Sequence, residues 1–228
     1  MESVLASFEI KIVFDNRKIE DRFISDFGFS VLIYNNFTDN YLLFDTGSNG
    51  EALIHNIEQF DLEISDVSKV IISHNHFEHI GGLDSVYDKN PNIEIYVPIE
   101  NLITYKRKYP KSEVIGVSDI KEIEQNIYSS GQLGTYLKEQ AMFLKTEENN
   151  LIAFVGCSHP GLDEIFARGK QIGNIKAVIG GFHGFRKLGI LEDMDLIIPL
   201  HCTQHIDLIK QRFPDQFKSI YVGDSLVF

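Results

Sequence analysis

Histidine and glutamate side chains, which bind metal ions, are concentrated in one short segment of this chain. Residues 71–83 read I-I-S-H-N-H-F-E-H-I-G-G-L, with three histidines and one glutamate within six positions. His74 and His76 lie two positions apart, so in an extended chain both side chains point to the same side and can face one cation. Crowded imidazoles and carboxylates are ligands that suit zinc, ferrous iron and manganese. The segment therefore predicts a metal site.

Glu78 and His79 follow where the chain has begun to turn, and the pair Gly81 and Gly82 is expected to supply the turn. This turn would direct the two side chains toward a second cation position beside the first. The alternative interpretation is a histidine-rich surface loop that binds no metal. The density of the cluster and its place after an apolar run favour the metal site.

Histidines also follow three other apolar segments. The four segments V-I-I-S, L-I-A-F-V-G, A-V-I-G-G and D-L-I-I-P-L each have a histidine within about three residues of the carboxyl end. The carboxyl ends of strands in α/β sheets converge on one rim, where ligands bind. We therefore expect six of the eight histidines to meet at one place: His74, His76, His79, His159, His183 and His201.

Other residue patterns predict the elements that position these histidines. Alternating and apolar runs predict strands over 8–14, 30–34, 41–44, 70–73, 93–97, 151–156, 176–179, 194–200 and 220–222. Helical spacing predicts helices over 51–60 and 162–175, with shorter ones over 99–105 and before Phe213. The order of these elements is typical of an α/β protein.

Asp45 and the two cysteines lie next to these candidate elements. Asp45 ends a predicted strand beside a glycine, where its carboxylate either orients a metal-binding histidine or caps a turn or helix; spacing alone does not separate the two roles. Cys157 and Cys202 each stand near a candidate histidine, so reduced thiols are expected rather than a disulfide.

Composition limits the classes of partner. The 228 residues are 43% hydrophobic and 24% charged, which fits one α/β domain over residues 1–228. The net charge of −12 argues against nucleic acid, because phosphate backbones need a basic surface. No run approaches the ~20 apolar residues of a membrane span, and M-E-S-V-L-A-S-F lacks an export signal. We expect a cytoplasmic protein without a membrane partner that binds a small, possibly anionic substrate; its oligomeric state is open.

The histidine motifs resemble those of a known superfamily. S-H-N-H-F-E-H-I-G-G-L resembles the H-x-H-x-D-H motif of the metallo-β-lactamase superfamily, and F-D-T-G upstream looks like that superfamily's D-T-G turn. Downstream, G-C-S-H-P-G, G-G-F-H and P-L-H-C-T are similar to the branch typified by the 7,8-dihydropterin-6-methyl-4-(β-D-ribofuranosyl)aminobenzene-5'-phosphate synthases. The resemblance runs from about residue 28 to the C-terminus.

This resemblance implies a four-layer αβ/βα sandwich with a dinuclear metal centre, usually zinc. Carried over by position, one set of residues holds the first metal (His74, His76 and His159) and another holds the second (Glu78, His79 and His201). Cys157 stands where many members have a bridging aspartate, which makes it a possible ligand. Glu78 is the implied proton acceptor. His183 is implied either to face the substrate, where it stabilises negative charge or protonates the leaving group, or to be a donor that supports a metal ligand.

Three positions depart from the superfamily pattern. Glu78 replaces the usual aspartate, and its additional methylene moves the carboxylate outward by about 1.5 Å, so the second ion is expected to be weakly held, displaced or missing. Gln204 follows H-C-T where the branch usually has glycine, and Gly184 follows G-G-F-H in place of an apolar residue. The resulting expectation is a metal-dependent hydrolase that uses a metal-activated water; the alternative is a metal- or ligand-binding protein with little or no turnover.

Overall fold

The computed structural model describes residues 7–228, which form thirteen strands in two sheets. The strands are β1 (Phe8–Phe14), β2 (Ser30–Asn35), β3 (Asn40–Phe44), β4 (Val67–Ile71), β5 (Glu94–Pro98), β6 (Val114–Val117), β7 (Lys121–Glu124), β8 (Ile127–Ser129), β9 (Met142–Lys145), β10 (Asn150–Val155), β11 (Asn174–Gly181), β12 (Leu196–Leu200) and β13 (Ser225–Val227). The strand order is β13-β1-β2-β3-β4-β5-β6 in the first sheet and β12-β11-β10-β9-β8-β7 in the second.

Six α-helices accompany the sheets in the described part of the chain. They are α1 (Gly50–Glu58), α2 (Phe77–Ile80), α3 (Leu83–Lys89), α4 (Leu102–Lys108), α5 (Leu162–Gly169) and α6 (Ile206–Arg212). Among residues 7–228, no helix combines the length and apolar character that crossing a membrane requires. Most of the N-terminal segment on which the export prediction rests, residues 1–6, lies outside the described residues.

The two sheets pack face to face around a shared apolar core. Phe44 and Ile71 of the first sheet are buried in the same cluster as Phe154 and Ile179 of the second. The outer face of the first sheet packs with α1, α3 and α4, and the outer face of the second packs with α5 and α6. The four-layer αβ/βα sandwich that the resemblance implied is therefore confirmed.

Helix α1 shows how the local sequence sets an element. The Asn49 side chain accepts a hydrogen bond from the Ala52 N–H and caps the first turn. Leu53 and Ile57, four residues apart, are buried against the first sheet. The helix ends at Glu58, two residues before the predicted end, and the predicted cap role of Asp45 belongs to Asn49 instead.

Two further predictions of element bounds differ from the structure by more than two residues. The helix predicted over 162–175 ends at Gly169, because the chain from Asn174 pairs in parallel with β10 and places Ile175 beside Leu151. The last strand is β13, Ser225–Val227, and not 220–222, where only an isolated bridge joins Val222 to Lys18. Gly223, with φ of 103°, turns the chain between the two segments.

The glycine pair after the histidine cluster has a role different from the predicted one. Gly81 and Gly82 have ordinary φ angles of −60° and −82°, so they do not supply a turn that only glycine can make. A Cβ atom would lie 2.3 Å from the Ser48 carbonyl oxygen at Gly81 and 2.2 Å from the Thr46 carbonyl oxygen at Gly82. The pair allows this backbone to pass directly against the segment after β3.

The predicted convergence of strand ends occurs, but on two sheets rather than one rim. β4, which precedes the first histidine cluster, belongs to the first sheet, and it ends at Ile71, two residues before the predicted end. β10, β11 and β12 lie side by side and parallel in the second sheet. The histidines that follow these strands therefore approach one another from opposite sheets.

Candidate metal centre

Five histidines from the two sheets form one cluster. The His74 ring centroid lies 4.7 Å from that of His76, 4.2 Å from that of His79 and 4.9 Å from that of His159. The His76 and His159 centroids are 5.0 Å apart, and so are those of His79 and His201. The cluster joins the loop after β4 to the loops after β10 and β12.

Two sets of donor atoms within this cluster have the spacing of metal ligands. His74, Cys157 and His159 form one set, and Glu78, His79, Cys157 and His201 form the other, with the donor atoms of each set within 4.8 Å of one another. The Cys157 sulfur belongs to both sets and lies 3.2 Å from His79 Nε2. His76 borders the first set, since its Nδ1 lies 3.1 Å from His74 Nε2.

Two ring nitrogens in the cluster have the environment of metal ligands. The Nε2 atoms of His159 and His201 are buried and have no hydrogen-bond partner within residues 7–228. A buried polar atom without a partner costs about 1–3 kcal/mol unless something binds it. Burial lowers the pKa of His159 to about 4 and that of His201 to about 3, so both rings are neutral at pH 7 and carry a free lone pair. These donors fit a cation.

Asp45 holds His79 from behind the cluster. Its Oδ2 accepts a 2.7 Å hydrogen bond from His79 Nδ1, which leaves His79 Nε2 facing the donor sets. Ser73 donates from its backbone N–H to Asp45 Oδ1 and from its hydroxyl to Oδ2, both at 2.7 Å. Burial alone would lower the pKa of His79, but the Asp45 carboxylate raises it on balance. The geometry is that of a residue that orients a metal ligand.

The same serine orients His74. Ser73 Oγ lies 2.9 Å from His74 Nδ1 and donates its proton to Asp45, so it accepts the Nδ1 proton of His74. His74 Nε2 is then unprotonated and points into the cluster. One buried carboxylate therefore fixes two imidazoles of the first sheet.

Asp15 and Asn16 hold His201 in the second sheet. They follow the end of β1, and Asp15 Oδ1 accepts a 2.8 Å hydrogen bond from the His201 N–H. Asn16 donates from Nδ2 to the His201 carbonyl at 3.0 Å, and its Oδ1 lies 3.2 Å from His201 Nδ1. Burial raises the pKa of Asp15 to about 6. His201 has a positive φ of 49°, a strained conformation that these contacts hold.

Glu139 organises the loop after β10. Its fully buried carboxylate accepts hydrogen bonds from the N–H groups of Cys157, Ser158 and His159, at 3.1, 2.8 and 2.8 Å. Burial raises the pKa of this carboxyl group. Three successive donors on one carboxylate fix the backbone that carries two of the candidate ligands.

Cys157 and Cys202 are free thiols whose sulfur atoms lie 3.3 Å apart. The Cys202 thiol and burial both raise the pKa of Cys157. A cation beside the Cys157 sulfur would have the opposite effect and favour the thiolate.

Glu78 and His183 lie at the edge of the cluster. Glu78 is part of the second donor set, and its Oε1 is 3.8 Å from His76 Nδ1. His183 is exposed, and its ring centroid lies 5.3 Å from that of His159. The Gln204 N–H donates to the His183 carbonyl, which fixes the backbone at this position. His183 thus borders the cluster and belongs to neither donor set.

Two exposed aromatic side chains border the cluster on another side. The Phe27 ring centroid lies 4.8 Å from that of His201, and 54% of Phe27 is exposed. Phe77, which directly follows His76, is 68% exposed. The backbones of the two segments touch, since a Cβ atom at Gly28 would lie 2.7 Å from the Glu78 carbonyl oxygen.

Comparison with known proteins identifies the family. The sequence profile of the metallo-β-lactamase superfamily matches residues 25–134. MJ0448, an uncharacterized protein of Methanocaldococcus jannaschii, is 30% identical, and the match covers 94% of this chain and 98% of that protein. The chain belongs to the metallo-β-lactamase superfamily.

Two further comparisons agree with this assignment to the metallo-β-lactamase superfamily. The 7,8-dihydropterin-6-methyl-4-(β-D-ribofuranosyl)-aminobenzene-5'-phosphate synthase of the same organism is 25% identical, over 90% of this chain and 91% of that protein. The crystal structure of Tm1679, described as a metal-dependent hydrolase of the β-lactamase superfamily, has a TM-score of 0.78 at 24% identity, covering 96% of this chain and 98% of that one. The similarity to Tm1679 shows that the two proteins share a fold.

Sequence reasoning missed four residues of this metallo-β-lactamase-like site: Asp15, Asn16, Ser73 and Glu139. Asp15 and Asn16 do follow a predicted strand directly, as Asp45 does, so their position was a usable signal. Glu139 lies in a loop with no neighbouring motif, and its contacts with residues 157–159 depend on the fold. The residues that were predicted lie in or beside the cluster.

Proposed function

We propose that this protein is a metal-dependent hydrolase of a small phosphorylated or ester substrate. The observation that carries the proposal is the pair of donor sets that share Cys157, together with the buried, unpartnered Nε2 atoms of His159 and His201. The superfamily and the fold agree with this chemistry.

The residues divide between two cation positions. His74, His76 and His159 would hold one ion, Glu78, His79 and His201 would hold the other, and Cys157 lies between them. Nitrogen and sulfur donors favour zinc over the harder cations. A bound ion would lower the pKa of water from ~15.7 toward ~7 and polarise a carbonyl or phosphoryl oxygen of the substrate.

Side chains of the protein hold the imidazole protons in place and transfer the protons of the reaction. Asp45 and Ser73 hold the Nδ1 protons of His79 and His74, so that both Nε2 lone pairs face the donor sets. Glu78, which is partly exposed, accepts the proton of the attacking water. His183, exposed beside His159, donates a proton to the leaving group or stabilises its negative charge.

The surroundings of the site favour a small substrate with an apolar part. With a net charge of −12, the chain offers no general attraction for nucleic acid, and an anionic group would be held by the cations and by His183. Phe27 and Phe77 provide exposed aromatic surface for a ring or an acyl group. The relative named as the synthase of a ribofuranosylaminobenzene 5'-phosphate supports a phosphorylated substrate. We place the protein in the cytoplasm.

Metal content and turnover test the proposal together. We expect elemental analysis to find one or two zinc equivalents per chain and hydrolysis of at least one compound in a panel of phosphoesters, lactones and thioesters. His201→Ala should lose metal and turnover. His55→Ala removes a histidine of α1 whose ring hydrogen-bonds to the Arg22 carbonyl and belongs to neither donor set, and it should keep both metal and turnover. The hydrolase would be refuted if the wild type contained no metal and His201→Ala folded as stably as the wild type.

A second candidate function is metal or ligand binding without turnover. It is favoured by Glu78 and Cys157, which stand where the superfamily pattern has aspartates. It predicts retention of metal without hydrolysis across the same panel. Any turnover that Glu78→Ala abolishes while metal is retained would exclude this second function.

A further inference from the structure

The two cysteines of the chain come together from opposite sides of one strand. Cys157 follows β10 and Cys202 follows β12, and β11 lies between them in the sheet. Their sulfur atoms are nevertheless 3.3 Å apart. Because the sequence has no other cysteine, each is the other's only partner within one chain.

Gly181 at the end of β11 makes this approach possible. A Cβ atom at this position would lie 2.7 Å from the Cys202 sulfur and 3.3 Å from the Cys157 Cα. The same Cβ atom would lie 2.3 Å from the Gly156 carbonyl oxygen, so with a larger residue the end of β11 and the Cys202 side chain could not both keep these positions. The two cysteines therefore lie over the end of β11, where Gly181 has no side chain.

We propose that Cys157 and Cys202 form a reversible disulfide that withdraws Cys157 from both cation positions. A disulfide bond is about 2.05 Å long, so the sulfurs must approach by about 1.3 Å through side-chain rotation and a small loop movement. Cys202 is partly exposed and open to a small oxidant, whereas Cys157 is 2% exposed. The exposed thiol reacts first, and the buried one resolves it.

The reaction balances with a peroxide as oxidant. The Cys202 thiolate attacks one oxygen of hydrogen peroxide; an S–O bond forms, the O–O bond breaks, and hydroxide leaves and takes up a proton. The Cys157 sulfur then attacks the Cys202 sulfur; the S–S bond forms, the S–O bond breaks, and water leaves with the Cys157 proton. Two thiols are oxidised and one peroxide is reduced to two waters. A dithiol reverses the step by exchange.

The loss of Cys157 affects both donor sets because they share its sulfur. A disulfide sulfur carries no negative charge and is a poor ligand for zinc, which binds thiolate. Zinc and the disulfide therefore oppose each other: oxidation lowers zinc affinity, and bound zinc shifts the thiol–disulfide equilibrium toward the thiols by the same factor. This consequence rests on the proposed metal centre, whereas formation of the disulfide does not.

The experiment oxidises the metal-free protein with hydrogen peroxide and follows thiols, mass and zinc. We expect loss of two hydrogens in the intact mass, disappearance of both maleimide-reactive thiols under denaturing conditions, and recovery of both with a dithiol. Pre-loaded zinc should slow the reaction at least tenfold. Oxidised protein should bind zinc at least tenfold more weakly in a competition titration with a chromogenic chelator.

Cys202→Ser is the matched variant, since it keeps Cys157 as a ligand and removes its partner. It should bind zinc like the wild type before oxidation and lose far less affinity after it. Mass gains of oxygen without loss of hydrogens, or a disulfide between two chains on a non-reducing gel, would overturn the proposal. So would an intramolecular disulfide that leaves zinc affinity unchanged. A reduced protein that binds zinc but hydrolyses nothing would refute the hydrolase and leave the disulfide standing.

Discussion

Asn16 contacts His201 on both its ring and its backbone. Its Oδ1 accepts the Nδ1 proton and so fixes the tautomer in which Nε2 faces the donor set. We predict that Asn16→Ala lowers zinc affinity by about ten- to a hundredfold, the usual cost of losing a residue that orients a ligand. A zinc competition titration measures this change.

Asn92→Ala is the control for this experiment, because Asn92 is exposed and precedes β5. Since β5 runs parallel to β4, its amino end lies at the sheet edge opposite the histidines that follow β4. It should bind zinc like the wild type. Equal affinities of Asn16→Ala and the wild type would show that His201 needs no orientation, or that it is not a ligand.

Glu139 gives a second prediction at the level of one residue. Glu139→Gln turns one acceptor oxygen into a donor that faces N–H donors of residues 157–159. We expect the free energy of unfolding of the metal-free protein to fall by about 1–3 kcal/mol, the cost of unsatisfied buried polar groups. Urea unfolding measures it. Glu147→Gln, at an exposed position, is the control and should change stability by less than about 0.5 kcal/mol. An equally small change in Glu139→Gln would contradict the role of Glu139 in holding the backbone of residues 157–159.

Residue types revealed the candidate ligands but only some of the residues that orient them. Histidines at four strand ends form a pattern that chance seldom produces, so the cluster was predictable. Asp45 has a local signal, the D-T-G turn. Glu139 has none, because its three partners follow it by 18 to 20 positions in a different loop. Such a contact exists only once the fold has formed.

At the scale of elements, the approach of α2 and α3 to the segment after β3 depends on glycine. We predict that Gly82→Ala destabilises the protein by about 1–3 kcal/mol, because its Cβ atom would overlap the Thr46 carbonyl oxygen and force the backbones apart. Chemical denaturation of the metal-free protein measures this effect.

Gly189→Ala is the matched control, since the nearest atom to its added Cβ is 3.8 Å away on the flexible Arg212 side chain. It should change stability by no more than about 0.5 kcal/mol. If the two variants were equally stable, the backbone contact at Gly82 would not be a tight one.

The strands that carry the histidine segments were more predictable than the helix ends, the last strand and the four strands β6 to β9, which no sequence pattern predicted. β1, β2 and β3 were found from alternation and turn residues, which are local signals. The end of α5 was missed because Ile175 continues the helical spacing although it packs as a strand residue. β13 was missed because its register depends on pairing with β1, at the other end of the chain.

At the scale of the whole molecule, Glu124 of β7 connects the two sheets. Its carboxylate accepts hydrogen bonds from Asn35 and Thr38 of the first sheet, and it lies 2.9 Å from Lys69 Nζ of β4. Burial alone would raise the pKa of Glu124, but the Thr38 hydroxyl and the Lys69 ammonium lower it on balance. The ionised form is therefore the one that stabilises the sandwich.

This pKa shift sets the direction of a pH dependence. Because the folded pKa is below the ordinary value of 4.5, the contribution is complete above that value and is lost as pH falls through the folded pKa. We predict that Glu124→Gln costs about 1 kcal/mol at pH 7, since the group is partly solvated. The difference from wild type should shrink below pH 4.5. Urea unfolding at pH 7 and in acid measures it, and a difference that grows in acid would contradict the assignment.

The contact between Asp15 and His201 joins residues 186 positions apart. During synthesis, the histidines after β4 leave the ribosome long before the residues that complete the centre. Contacts of such long range close late in folding because chain entropy opposes them. We therefore expect the growing chain to carry an incomplete, accessible cluster of candidate ligands until the residues after β12 have joined it.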